Sequence, residues 1–210
     1  MGLIRILPMT AVLVILTSAA TFGHGPGGIL LDQQGRELSG KDQSDLAEWE
    51  TLNQQARDFS KKGQYDLAVA AGEKALEISK QSAYLNEAGA VGISLCSLAI
   101  GYYNQAKYVQ AEPLFQSALN MYEKKLGPDN TTVAALINNL GSVHEHQGHV
   151  AQAETLYKRA LEIDEKVLGP DHPNVAVALK NLAGIYRITH RDVDAAKLEQ
   201  RAASIEAIKR

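Results

Sequence analysis

The sequence predicts an all-α fold, a solenoid of four stacked helix-turn-helix repeats, on three observations. Leu126-Gly127-Pro128-Asp129 returns as Leu168-Gly169-Pro170-Asp171. The stretch from Val133 to Gly141 overlays the one from Val175 to Ala183, 42 positions later, and the one from Val91 to Ala99, 42 earlier. Two alanine columns, Ala68, Ala111, Ala153 and Ala195, then Ala75, Ala118, Ala160 and Ala202, run through all four units. A fixed period of about 20–50 residues signals units too small to bury their own apolar faces, so neighbours must stack.

The chain opens differently. Arg5 is the one charge in residues 1–23, and Met9 to Ala20 is apolar but for Thr10, Thr17 and Ser18. A charged start, an apolar run and the small residues Ser18, Ala19 and Ala20 have the layout of a secretory signal. These residues are expected to export the chain as a signal peptide or, if uncleaved, to anchor it in a membrane. The apolar run is short against the roughly 20 residues of a bilayer span. Residues 24–44 are rich in Gly and polar side chains and bury too little to offset the cost of ordering, so a flexible linker is expected. The repeat domain then occupies residues 45–210, with units at about 48–90, 91–132, 133–174 and 175–210.

Composition narrows the function classes. With 45% hydrophobic and 21% charged residues the chain is ordinary globular protein. Beyond residue 23 it carries 20 basic and 24 acidic residues, a net of −4, and no basic run. That balance excludes nucleic acid, which needs clustered Lys and Arg to displace counterions. Cys96 is the one cysteine, so no intrachain disulfide can form, and it is expected to act as a small buried hydrophobe.

Within each unit two apolar-periodic stretches flank a polar turn. The first, helix A, repeats Leu52, Leu95, Ile137 and Leu179, then Phe59, Tyr102, His144 and Tyr186, on one helical stripe. The small column Ala56, Ala99, Gly141 and Ala183 shares that face and lets neighbouring helices approach. The second, helix B, repeats Leu76, Leu119 and Leu161, then Ile78, Met121, Ile163 and Ile205. In the third unit they are expected over Val133–Gln147 and Val150–Leu168. Gly127 and Gly169 suit a left-handed residue after a helix, Pro128 and Pro170 forbid continuation, and Pro173 suits a first turn with Asp171 or His172 near the cap.

These residues resemble the tetratricopeptide repeat. The 42-residue period, the string from Ala153 to Ile163 and the linker from Leu168 to Pro173 are similar to its long, kinesin-light-chain-like subtype, over about residues 48–210. The likeness weakens at the ends, where Gly72 fills an aromatic slot and Glu199 and Ala203 replace an aromatic residue and a leucine. Those departures read as polar terminal faces, as stacked repeats require. Association of copies through the terminal repeats is the alternative.

The resemblance implies a right-handed superhelix whose A helices line a concave, peptide-binding face. It places Asn53, Arg57, Tyr103, Asn104, Asn138, Asn139, His146, Lys180, Asn181 and Arg187 there as candidate partner-binding residues. Side-chain amides offer donors and acceptors suited to gripping an extended peptide. The same Asn residues could instead hydrogen-bond the adjacent helix and hold the stack. Scattered basic residues, Lys61, Lys180 and Arg187, do not compose a clamp for a terminal carboxylate.

His144, His146 and His149 fall within six positions, yet 144 and 146 point to opposite faces of a helix and the i,i+4 spacing of metal pairs is absent. His144 is expected to pack between helices, and a metal-binding protein is the remote alternative. No phosphate loop, nucleophile elbow or carboxylate pair appears. The expectation is a non-catalytic, exported module that needs no cofactor and binds a protein or peptide, with a self-assembling or membrane-tethered scaffold as the rival.

Overall fold

The computed structural model describes residues 37–208, and every helix or longer regular element there is α-helical. In chain order these are α1 (Gly40–Lys61), α2 (Tyr65–Gln81), α3 (Ala83–Ala88), α4 (Ala90–Asn104), α5 (Tyr108–Leu126), α6 (Thr131–His146), α7 (Val150–Leu168), α8 (Pro173–Ile188) and α9 (Asp192–Ile208). The A helices are α1, α4, α6 and α8; the B helices are α2, α5, α7 and α9. The signal or anchor expected at residues 1–23 lies outside the described residues. None of the described helices is long and apolar enough to cross a membrane.

Each A helix ends in the same way. The backbone N–H of Gln64, Lys107, His149 and Arg191 donates to the carbonyl five residues earlier, on Phe59, Tyr102, His144 and Tyr186, at 2.8–2.9 Å. The residue before each donor, Gly63, Ala106, Gly148 and His190, has φ of 72°, 58°, 80° and 58°. This is the six-to-one helix stop with a left-handed residue after the last turn. Four copies, spaced 43, 42 and 42 apart, show that one turn geometry serves all four repeats even where the sequence puts Ala or His in place of Gly.

The starts of α1, α6 and α8 are set by side chains. Ser39 accepts from the Asp42 amide, Asn130 from Thr132 and His172 Nδ1 from Asn174. Asn130 therefore starts α6 two residues before the apolar pattern begins. Ser39 starts α1 at Gly40, so residues 40–44, expected as linker, are helical, and Leu38 beside them is buried. Gly169, after α7, has φ 86° and ψ 161°. That region is open only to glycine, but it is an extended mirror conformation rather than the left-handed helical one expected. Between the first two repeats no Gly-Pro string exists, and a short helix, α3, capped by Ser82 and closed by left-handed Gly89, fills the connection.

Residues 45–210, read as one repeat domain, divide into two compact units, with the boundary between Ala118 and Leu119 inside α5. In the first unit α2 packs on α1 and α4, and α3 rests on all three. Gly72, in the aromatic slot of the first repeat, explains its own departure there: a Cβ would lie 3.3 Å from the Leu98 Cα. In the second unit α7 packs between α6 and α8, and α9 covers α8. Gly141 faces the ring of Tyr157, which is fully buried, and a Cβ at Gly141 would lie 2.7 Å from it. The small column thus sets the approach of A and B helices, as the sequence implied. Glu199 and Ala203 are exposed on α9. Along the B helices of this unit an ion pair repeats with the period: Arg159 with Glu123, and Arg201 with Glu165.

Candidate functional site

The polar residues of the A helices divide into those that hold the stack and those that face outward. In the first unit the Trp49 indole donates to Ser94 Oγ at 2.8 Å, and Ser97 donates to Asn53 Oδ1 at 3.0 Å. Asn53 itself donates to the Trp49 carbonyl and is buried. In the second unit Asn181 donates to Asn138 Oδ1 at 2.8 Å, and both are buried. Asn139, in the slot of Asn181, is only 6% exposed. The candidate residues Asn53, Asn138, Asn139 and Asn181 are therefore buried, and three of them hydrogen-bond between helices, the second of the two roles open to them.

Two bonds share one offset. A residue in the slot of Asn53 and Asn138 accepts from the following slot of the next repeat, filled by Ser97 and Asn181. The sequence signals the pair of adjacent polar columns, but the offset is a product of stacking. Cys96 sits in the accepting column and is 1% exposed. Burial pushes its thiol up to about 12, so it is a packing residue and not a reactive one.

Lys180 and Arg187 are exposed but engaged. Lys180 pairs with Glu206, and Arg187 with Glu199 and Asp192, all from α9 or its leading turn. Lys61 has only Asp58 at 3.8 Å. Tyr103 and Asn104, at the end of α4, are half-buried, and the Tyr103 ring meets Tyr108 edge-on at 5.3 Å. His146 is exposed and donates from Nδ1 to the Ser142 carbonyl.

Arg57 differs from the other cations. It is half-buried, one guanidinium nitrogen, Nη2, donates to Gln54 Oε1, and the other, Nη1, is buried with no hydrogen-bond partner. Desolvation pulls its pKa down, against the nearby Asp58 charge. A guanidinium in that state is matched by a carboxylate brought to Nη1, which restores both the hydrogen bond and the charge.

His144 is half-buried, and its Nδ1 lies 3.3 Å from Nδ1 of His149 across the turn. Several working residues escaped the sequence reading. Arg191 reaches from the last turn to Glu154 on α7 and lies 3.8 Å from the centre of the Tyr186 ring. It holds the Glu154 carboxyl down at about 2. Tyr157 donates to Glu145, whose carboxyl burial pushes up. Asp164, at the end of α7, is 1% exposed, with Oδ1 partnerless and the Asn174 side chain as its hydrogen-bond donor. None of these pairs lies within one helix turn, so no periodic pattern marks them. Among the described residues no group of three or more His, Cys, Asp or Glu is placed to hold a metal ion.

The sequence model of the tetratricopeptide repeat family matches residues 47–124 and 131–205. No curated protein matches the chain. Among solved structures the chain is similar to BtubC (BKLC) from P. vanneervenii, at 27% identity and a TM-score of 0.66, over 73% of this chain and 61% of that one. It is also similar to the apo form of RapI, at 16% identity and a TM-score of 0.64, over 79% of this chain and 45% of that one. A third is a set of nearly identical repeats from a Podosopora anserina protein assigned as a kinesin light chain, at 18% identity and a TM-score of 0.50, over 77% and 96%. The chain thus spans less than two thirds of the length of BtubC and of RapI.

Proposed function

The chain belongs to the tetratricopeptide repeat family, and from that premise we propose that it is a non-catalytic module that binds an extended protein segment on its A-helix face. The family's fold suits protein–protein interaction in general. The finer reading rests on Arg57. Its buried, partnerless Nη1 supports a ligand that carries an acidic side chain. Gln54, exposed one turn before it, links the Arg57 guanidinium to the Asp58 carboxylate and so positions it. Tyr103 and Asn104 would form further contacts in the first unit, and His146 in the second. The buried asparagines would act indirectly, by fixing helix spacing. Export by residues 1–23, with removal of that segment or its retention as an anchor, is part of the same proposal.

The test is selection of a random-peptide library on the full-length chain, followed by fluorescence anisotropy with the enriched peptides. Acidic peptides should be enriched, and Arg57→Ala should weaken them by about tenfold or more, a loss of about 1.4 kcal/mol, with Tm unchanged. Failure to enrich any sequence, or equal affinity in the Arg57→Ala protein, would overturn the reading.

A specific observation favours one rival. In the last repeat Ile188, Val193 and Ile208 are 51%, 72% and 69% exposed. Such side chains suit self-association. Light scattering on dilution decides it, since a monomer at every concentration removes that reading.

A further inference from the structure

In the second, third and fourth repeats the turn that ends the A helix brings two side chains together: that of the residue whose carbonyl accepts the six-to-one bond and that of the residue five positions later. In the second repeat Lys107 lies 6.0 Å from the centre of the Tyr102 ring. In the fourth, Arg191 lies 3.8 Å from that of Tyr186. The pairing is enforced by the backbone, through the bond from each later N–H to the earlier carbonyl. In the third repeat the same geometry is occupied by two imidazoles, His144 and His149.

Their rings are 5.6 Å apart at 44°, and the two Nδ1 atoms are 3.3 Å apart. Without a third party one nitrogen donates a proton and the other accepts it. The distance has a second meaning. A divalent transition ion holds imidazole nitrogens at about 2.0–2.1 Å with tetrahedral angles, which puts two of them about 3.3–3.4 Å apart. The edge of such a coordination shell is thus already formed by the fold. His146 takes no part, because its Nδ1 is turned back to the Ser142 carbonyl at 2.9 Å.

We propose that His144 and His149 form a two-histidine site at the turn between α6 and α7 that binds a borderline divalent ion of the zinc class through their Nδ1 atoms, water completing the shell. Imidazole ligands select such ions over magnesium or calcium, which take oxygen. Both rings bind in the tautomer that carries the hydrogen on Nε2, so a neutral pair loses no proton. The ion clips the last turn of α6 to the first residue before α7, and it stabilises the folded chain by mass action.

The site is tested by calorimetric titration of zinc chloride into the full-length, untagged, EDTA-treated chain, with Tm measured alongside. One ion per chain and a raised Tm are expected, and magnesium chloride should give neither. His149→Ala is the decisive variant: the side chain is exposed and makes no capping bond at the start of α7, so its loss leaves the fold intact. Affinity should fall by about tenfold or more in His149→Ala and in His144→Ala, and stay at the wild-type value in His146→Ala. Absence of zinc binding, undiminished binding in His149→Ala, or an equal loss in His146→Ala would each overturn the proposal.

Discussion

Asp164 is the residue whose chemistry is most at odds with its surroundings. Its carboxyl is buried, one oxygen has no partner, and a single donor, Asn174, offsets little of the desolvation; burial pushes the group up to about 7. A carboxyl raised in the folded state, against about 3.9 unfolded, favours folding of the protonated form. Below about pH 4 both states are protonated and the group costs nothing. As pH rises from there through about 7 the cost grows, and above 7 it is complete. Asp164→Asn keeps the shape and the Asn174 contact, though it leaves a partnerless amide. It should stabilise the chain by about 1–3 kcal/mol at pH 8 and by nothing measurable at pH 4. Denaturant titrations at the two pH values check this, and an equal effect at both would show that charge is not the cause. Ala106 carries a backbone cost instead. At φ 58° it occupies the position that Gly63 and Gly148 fill in other repeats. A left-handed non-glycine costs about 1–2 kcal/mol, from which the extra freedom of an unfolded glycine subtracts. Ala106→Gly should therefore raise stability by about 0.5–1 kcal/mol, seen as a higher Tm.

At the scale of the element, one glycine shows how helix propensity and packing compete. Gly141 sits inside α6, where alanine would gain up to about 1 kcal/mol of propensity. Its Cβ would, however, meet the Tyr157 ring at 2.7 Å, and that ring is fully buried between helices and bonded through its hydroxyl to Glu145. Overpacking costs about 1–3 kcal/mol, so Gly141→Ala should lose about 1–2 kcal/mol net. Gly184 in α8 has nothing within 4 Å of such a Cβ. Gly184→Ala should gain up to about 1 kcal/mol, and thermal melts of the two variants should move in opposite directions. The A and B helices were legible because the 42-residue period repeats their apolar stripes, and α7 spans Val150–Leu168 in both readings. The elements that escaped have no repeat to announce them. The six residues of α3 are too few to show a period, and the Ser39–Asp42 cap lies in a stretch of Gly and polar residues. The candidate asparagines were legible only as a choice between two roles. Burial decides it, and burial depends on how one repeat sits on the next. The His144–His149 pair lies beyond a helical wheel altogether, because the second partner falls after the left-handed residue that ends the helix.

At the scale of the whole chain the question is how far a loss in one unit is felt in the other. Repeat arrays are stabilised by each repeat and by its nearest neighbours, so damage can stay local. The division between the two compact units falls at Ala118 and Leu119, within the residues of α5. Trp49 is the one tryptophan, buried in the first unit and bonded to Ser94, so its fluorescence reports that unit alone. Helical ellipticity reports both. Leu140 is 2% exposed in α6 of the second unit, and Leu140→Ala should cost about 2–5 kcal/mol as a core truncation. If that cost is borne locally, the ellipticity transition in urea moves to lower denaturant and broadens, while the Trp49 transition moves by less. We expect this split, because the Trp49 indole is tied to Ser94 in α4, within its own unit. Coincident shifts in both signals would show one cooperative block, in which any core residue of either unit sets the stability of the whole.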